Sequence, residues 1–127
     1  MARVLIAEDD EPLRLLTARA LNDSGHEVLT AVDGAEALDI VMREGGRFDL
    51  LLTDIKMPLM DGIALALSVA RDHPRITILL MTAYADQRER AAGLDALIHD
   101  VVLKPFTLAE LKTAVADALT EGPKRKQ

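Results

Sequence analysis

The stretch Phe48-Asp-Leu-Leu-Leu-Thr-Asp-Ile-Lys-Met-Pro-Leu-Met-Asp-Gly62 decides the fold. Its apolar core, Leu50 to Leu52, runs directly into Thr53 and Asp54. An apolar run this short, bounded by turn signals, suits a strand covered on both faces. Asp54 then emerges at the strand's carboxyl end, where open α/β sheets keep their ligand crevices. Pro58 and the Asp61-Gly62 pair close the segment as a loop leading into a helix. An aspartate in a turn is commonplace, so the meaning of Asp54 depends on what the rest of the chain brings to it.

Upstream, Val4 to Ala7 reads as a strand that ends in the acidic run Glu8-Asp9-Asp10-Glu11. Pro12 fits a first helical turn, where its missing N–H costs nothing, with Asp10 or Glu11 as the cap. Leu13, Leu16, Ala20 and Leu21 recur at helical spacing up to Asp23, and Ser24-Gly25 stops that helix. His26 to Ala31, with Val28, Leu29 and nearby Val32, reads as a second strand. Asp33-Gly34 then turns into a helix with Ala37, Leu38, Val41 and Met42 on one face, closed by Gly45-Gly46.

Downstream, Ile63, Leu67 and Ala70 mark a third helix that must stop before His73-Pro74. Ile76 to Met81 is a strand ending at Thr82-Ala83-Tyr84. Asp86 to Leu94 is charged on most sides, with only Ala91, Ala92 and Leu94 to bury, so its helix should be marginally held. Val101 to Leu103 is the fifth strand, ending at Lys104-Pro105-Phe106. Thr107 and Glu110 have capping-box spacing, and Leu108, Leu111, Val115 and Ala118 give the last helix its buried face.

The order is β-α five times over. Such alternation implies a parallel sheet with right-handed crossovers and helices on both faces. Five units are too few to close an eight-unit barrel, which leaves a doubly wound, flavodoxin-like α/β sheet with strand order 2-1-3-4-5.

Composition narrows the function. A chain of 127 residues favours one domain, expected over residues 1–120, with a short basic tail at 121–127. A domain of that size buries roughly two-thirds of its unfolded surface. It has no cysteine, hence no disulfide framework and no thiolate metal site, which is compatible with the expected cytoplasmic location. No apolar stretch reaches the roughly 18 residues of a membrane helix, so no membrane partner is expected. The net charge of −6 argues against direct nucleic-acid binding. The cations Lys124-Arg125-Lys126 after Gly122-Pro123 read as a solvated terminus.

The chemistry collects at the strand ends. The first strand ends in Glu8-Asp9, the third in Asp54, the fourth in Thr82 and the fifth in Lys104. In the order 2-1-3-4-5 the first and third strands are neighbours, which gathers Glu8, Asp9 and Asp54. Like charges at that range repel, so a bound divalent ion or Lys104 must compensate. Oxygen ligands without His or Cys point to magnesium, which pairs carboxylates with waters and phosphate oxygens.

Four segments together resemble the receiver domains of bacterial two-component response regulators. They are Leu5-Ile-Ala-Glu-Asp-Asp-Glu-Pro-Leu-Arg14, Leu52-Thr-Asp-Ile-Lys-Met-Pro-Leu-Met-Asp-Gly62, Met81-Thr-Ala83 and Leu103-Lys-Pro-Phe106, and the similarity runs from Val4 to about Leu119. The resemblance implies that Asp54 accepts a phosphoryl group from a phosphohistidine on a histidine kinase or histidine phosphotransfer protein. It also implies Mg²⁺ ligation by Asp9 directly, Glu8 through water, Asp54, and the backbone carbonyl of Lys56. Glu8-Asp9 is preferred to Asp9-Asp10 because Arg14 then lies at the family's usual spacing. Thr82 would hydrogen-bond the phosphoryl oxygen and Lys104, followed by a cis Lys104–Pro105 peptide, would bridge it to the acids. Such a chain catalyses only its own phosphorylation and dephosphorylation.

One position departs from the family. Many receivers carry an aromatic three residues before the lysine, where this chain has Val101. Either Tyr84 takes over the rearranging role or switching runs through helix order alone. Tyr84 and Lys56 would also flank the path of a water attacking the acyl phosphate, where a bulky ring slows dephosphorylation.

Three functional classes follow. The first is a stand-alone receiver acting on a downstream protein target, either as an adaptor similar to alphaproteobacterial single-domain cell-cycle regulators, or as a phosphoryl relay or motility-type output. The second is the N-terminal receiver of a longer regulator with a DNA-binding or enzymatic output domain. The third is a haloacid-dehalogenase-like phosphohydrolase, disfavoured because Lys56 stands where that family has a second aspartate.

Overall fold

The computed structural model describes residues 1–124; of the expected basic tail, residues 125–127 lie outside the described residues. Strands β1 (Arg3–Ala7), β2 (Glu27–Ala31), β3 (Leu50–Asp54), β4 (Thr77–Thr82) and β5 (Asp100–Leu103) alternate with helices α1 (Glu11–Asp23), α2 (Gly34–Arg43), α3 (Gly62–Asp72), α4 (Ala85–Ala91) and α5 (Leu108–Glu121). The strands form one parallel sheet in the order β2-β1-β3-β4-β5, as the alternating pattern requires.

Central β3 and β4 are buried at every position, whereas the edge strands β2 and β5 are half-exposed. That contrast is why the inner strands read as continuous apolar runs. Side chains alternate across the sheet and split the core in two. Val4, Ile6, Leu50, Leu52, Leu79 and Met81 pack with Leu21 of α1 and with Leu111, Val115 and Ala118 of α5. Leu5, Leu51, Ile78 and Leu80 pack on the other face with α2, α3 and Ala91 of α4.

Aspartates start three of the helices. The side chains of Asp10, Asp33 and Asp61 accept from the backbone N–H of Leu13 (3.1 Å), Glu36 (2.8 Å) and Ala64 (2.9 Å), which satisfies donors the helix cannot. Thr107 and Glu110 form the expected reciprocal capping box of α5. Helix α4 differs, since its cap residue Tyr84 makes no side-chain cap bond.

Five expectations about helices change. Leu16, Met42 and Leu67 face solvent, and Leu108 lies at the exposed rim of the core. Their places inside are taken by Thr17, by Ile40, and by Leu65, Ala66 and Val69. In α1 a polar threonine occupies the central buried position, and α3 is apolar nearly all round, so periodicity alone does not single out the inner face. The helix expected over 86–94 is α4 only as far as Ala91, followed by a 3₁₀ turn at Ala92–Leu94. Ala91 is the one buried residue of α4, consistent with the thin apolar stripe.

Gly62 at the start of α3 sets the clearance beneath Asp54. A Cβ there would lie 2.0 Å from the Asp54 carbonyl oxygen and 2.9 Å from the Ile55 Cα, both backbone atoms. Gly62→Ala should therefore cost about 1–3 kcal/mol through enforced displacement. Urea unfolding checks this, and a cost below about 0.5 kcal/mol, the level of an ordinary surface change, would contradict it.

Candidate functional site

Strand alternation decides which side chains meet at the carboxyl rim of the sheet. Val4 and Ile6 point toward the α1–α5 layer, and Glu8 continues that parity; Leu50 and Leu52 lead likewise to Asp54, and Val102 to Lys104. Thr82 has the parity of Leu80, which packs on the opposite layer with α4.

The geometry follows. The Lys104 ammonium donates to Glu8 Oε1 at 2.7 Å and lies 3.2 Å from Asp54 Oδ2. The second Asp54 oxygen accepts from the Ile55 N–H at 3.0 Å. Carboxylate oxygens of Glu8, Asp9 and Asp54 all lie within 4.8 Å of one another. Glu8 and Asp54 are buried, while Asp9 is exposed. The Lys104–Pro105 peptide is cis. The cluster floors an open cleft of about 280 Å³ lined also by Asp10, Lys56, Ala83 and Tyr84.

Glu8 is held at four points. Its N–H donates to the Ala31 carbonyl (3.1 Å) and its own carbonyl accepts from Arg14 Nη1 (2.9 Å). Its carboxylate takes Lys104 on Oε1 and the Asp10 N–H on Oε2 (3.1 Å). Among the described residues no hydrogen bond or ion pair engages the Asp9 carboxylate. Sequence reasoning missed Asp10 as a lining residue and the Arg14 contact, because bonds to backbone leave no residue-type signature.

Thr82 is fully buried and does not line the cleft; its Oγ1 accepts from the Tyr84 N–H at 3.1 Å. The half-exposed Tyr84 ring carries the Lys56 ammonium 4.8 Å from its centroid, so both sit at the cleft mouth. Val101 is half-buried against the core of the α2–α3 layer and lines a separate hollow of about 290 Å³ with Arg88, Ala91 and Ile98.

Burial raises the Asp54 and Glu8 carboxyls above their ordinary range, against the opposing pull of Lys104. Burial also works to lower the Lys104 ammonium, but its hydrogen bond to Glu8 and the charge of Asp54 outweigh that and hold it high. Three carboxylates thus face one ammonium, and hard oxygen donors with surplus negative charge suit Mg²⁺.

This surplus predicts a stability effect in the absence of metal. A carboxyl whose titration is raised by folding adds stability below its unfolded value and loses it as pH rises through the folded one. At neutral pH, Asp54 therefore carries a cost that asparagine avoids. In EDTA, Asp54→Asn should melt a few degrees above wild type near pH 7, with the gap closing toward about pH 4. Thermal unfolding at the two pH values checks this, and a less stable variant at neutral pH would refute it.

Comparison with known proteins agrees with this arrangement. Residues 4–116 match the response regulator receiver domain family. The transcriptional regulatory protein TcrA of Mycobacterium tuberculosis is 35% identical over 121 residues, which cover 95% of this chain but 47% of TcrA. Among solved structures, the response regulator TrrA of Thermotoga maritima, in complex with Mg²⁺-BeF, aligns with a TM-score of 0.81 and 31% identity over 93% of this chain and 99% of that one. A CheY-like receiver domain protein of Methanospirillum hungatei aligns with a TM-score of 0.86 and 29% identity over 95% of both chains. Among the described residues no helix is long and apolar enough to cross a membrane. The chain belongs to the receiver domains of response regulators.

Proposed function

We propose that this chain is a phosphorylation-activated switch in which Asp54 accepts a phosphoryl group from a phosphohistidine of a sensor kinase or histidine phosphotransfer protein. The observation that carries this reading is the buried Asp54 carboxylate, 3.2 Å from the Lys104 ammonium and grouped with Glu8 and Asp9. An Asp54 oxygen attacks phosphorus in line with the P–N bond. A P–O bond forms as P–N breaks, and the imidazole nitrogen leaves with a proton from solvent. Such a transfer needs positioning and charge neutralisation more than acid–base help. Lys104 supplies one positive charge at the acceptor oxygen. Bound magnesium would supply the remainder, held by Asp9 and Asp54 directly, by Glu8 through water and by the Lys56 carbonyl. The Asp9 carboxylate, unengaged among the described residues, and the doubly occupied Glu8 carboxylate support that division. The chain catalyses only its own phosphorylation and dephosphorylation.

Phosphorylation adds about 1.5–2 negative charges and three acceptors at Asp54. Lys104 already touches that group, whereas the Thr82 hydroxyl accepts from the Tyr84 amide N–H. Drawing the Thr82 hydroxyl onto a phosphoryl oxygen pulls on Tyr84, the cap of α4. Helix α4, with one buried residue and no side-chain cap, is the element poised to shift. The face of α4, β5 and α5 then meets a downstream protein. Tyr84 takes the rearranging role that Val101 leaves vacant, and its ring shields the acyl phosphate from water.

The receiver acts either alone or coupled to an output domain. The second reading draws on length, since this chain spans about half of a relative named as a transcriptional regulator. In that case DNA binding belongs to the attached domain and not to this acidic one.

Phosphoramidate, a small P–N donor, should phosphorylate the wild type in Mg²⁺, seen as an intact-mass increase. Asp54→Asn should show none, and labelling that survives the substitution defeats the reading. Tyr84→Ala should shorten the phosphoryl lifetime several-fold in the same assay; an unchanged or longer lifetime removes the shielding role.

A further inference from the structure

Arg14 sits in the first turn of α1 with its side chain only 12% exposed. Its Nη1 donates to the Glu8 carbonyl at 2.9 Å. Its ion-pair partner, Glu11, is 3.8 Å away and largely exposed, so that pair contributes little. The Glu8 carbonyl belongs to the planar peptide joining Glu8 to Asp9. Fixing that carbonyl fixes the direction in which the chain leaves Glu8 and therefore the aim of the Asp9 side chain. Glu8 has three further restraints, but among the described residues nothing holds the Asp9 carboxylate. Its placement rests on the backbone alone.

We infer that Arg14 is a positioning residue for divalent-cation binding, acting through the Glu8–Asp9 peptide rather than through its charge. This rests on the proposed role of Glu8 and Asp9 as magnesium ligands. The two ways in which Arg14 could act have opposite signs. A guanidinium near an acidic cluster repels a dication, so removing it for electrostatic reasons alone would tighten Mg²⁺ binding. Removing an orienting hydrogen bond weakens it, typically by tenfold or more for groups that orient metal ligands.

The experiment is a MgCl₂ titration of the full chain followed by Tyr84 fluorescence, available because Tyr84 is the only tyrosine and there is no tryptophan. Arg14→Met should raise the Mg²⁺ Kd about tenfold. Arg14→Lys, which keeps a charge and a donor, should recover most of the affinity. Equal or tighter binding by Arg14→Met overturns the inference. A wild type with no saturable Mg²⁺ response, confirmed by calorimetry, overturns the proposed metal site itself, so the two failures are distinct. Urea unfolding in EDTA establishes that each variant folds. Should Arg14→Met not fold, Arg14→Gln carries the same comparison with the same expected sign.

Discussion

Two buried carboxylates and one partly buried ammonium, meeting at the rim of the sheet, form the constraint on which the rest depends. Lys104 and Glu8 are 96 positions apart in sequence yet 2.7 Å apart in space. Lys104 follows β5 at one edge of the sheet, and its side chain crosses the ends of β4 and β3 to reach the end of β1. A long flexible stem ending in a compact charge suits that span. Removing Lys104 would leave both carboxylates uncompensated out of water, which is costly. The arrangement is still incomplete electrostatically, because burial raises both carboxyls in spite of the lysine. The fold thus holds a site short of positive charge, suited to a divalent cation.

Much of this was legible in the sequence, for a physical reason. Leu50–Leu52 and Ile78–Met81 lie on strands covered from both sides, so they read as unbroken apolar runs. Polar residues that interrupt such runs, Asp54 and Thr82, mark the strand ends directly. Helix faces were less legible: Thr17 occupies a buried place without an apolar side chain, while Leu16 and Leu67 are apolar but exposed. The strand order brings Glu8, Asp9 and Asp54 together at the rim, and Thr82 ends the neighbouring strand β4 with the parity of Leu80. Contacts set by loop geometry, such as Lys56 on the Tyr84 ring and Arg14 on the Glu8 carbonyl, have no periodic signature.

Helix α4 stands apart energetically. The other helices begin with a side chain that accepts from the backbone, each such cap contributing about 1 kcal/mol. For α4 the start is held through Tyr84, whose N–H goes to Thr82 and whose ring meets Lys56. A further tie joins Arg90 to Asp61 at 3.4 Å, between partly exposed groups. A segment so lightly fastened opens at lower free energy than the sheet beneath it, and small changes in its few attachments shift its population.

The division of the core into two layers has a consequence for how this domain can diversify. The sheet acts as a partition, with α1 and α5 packed on one face and α2, α3 and α4 on the other, and the proposed acceptor Asp54 and the proposed switch residues Thr82 and Tyr84 lie at its carboxyl rim. Packing within either layer can then drift, exchanging one aliphatic side chain for another, with stability as the property at stake. Rim residues are free of packing demands to the extent that they are exposed, so the proposed switching residues can change while the scaffold stays intact. Durability and the proposed signalling role thus rest on separable sets of residues.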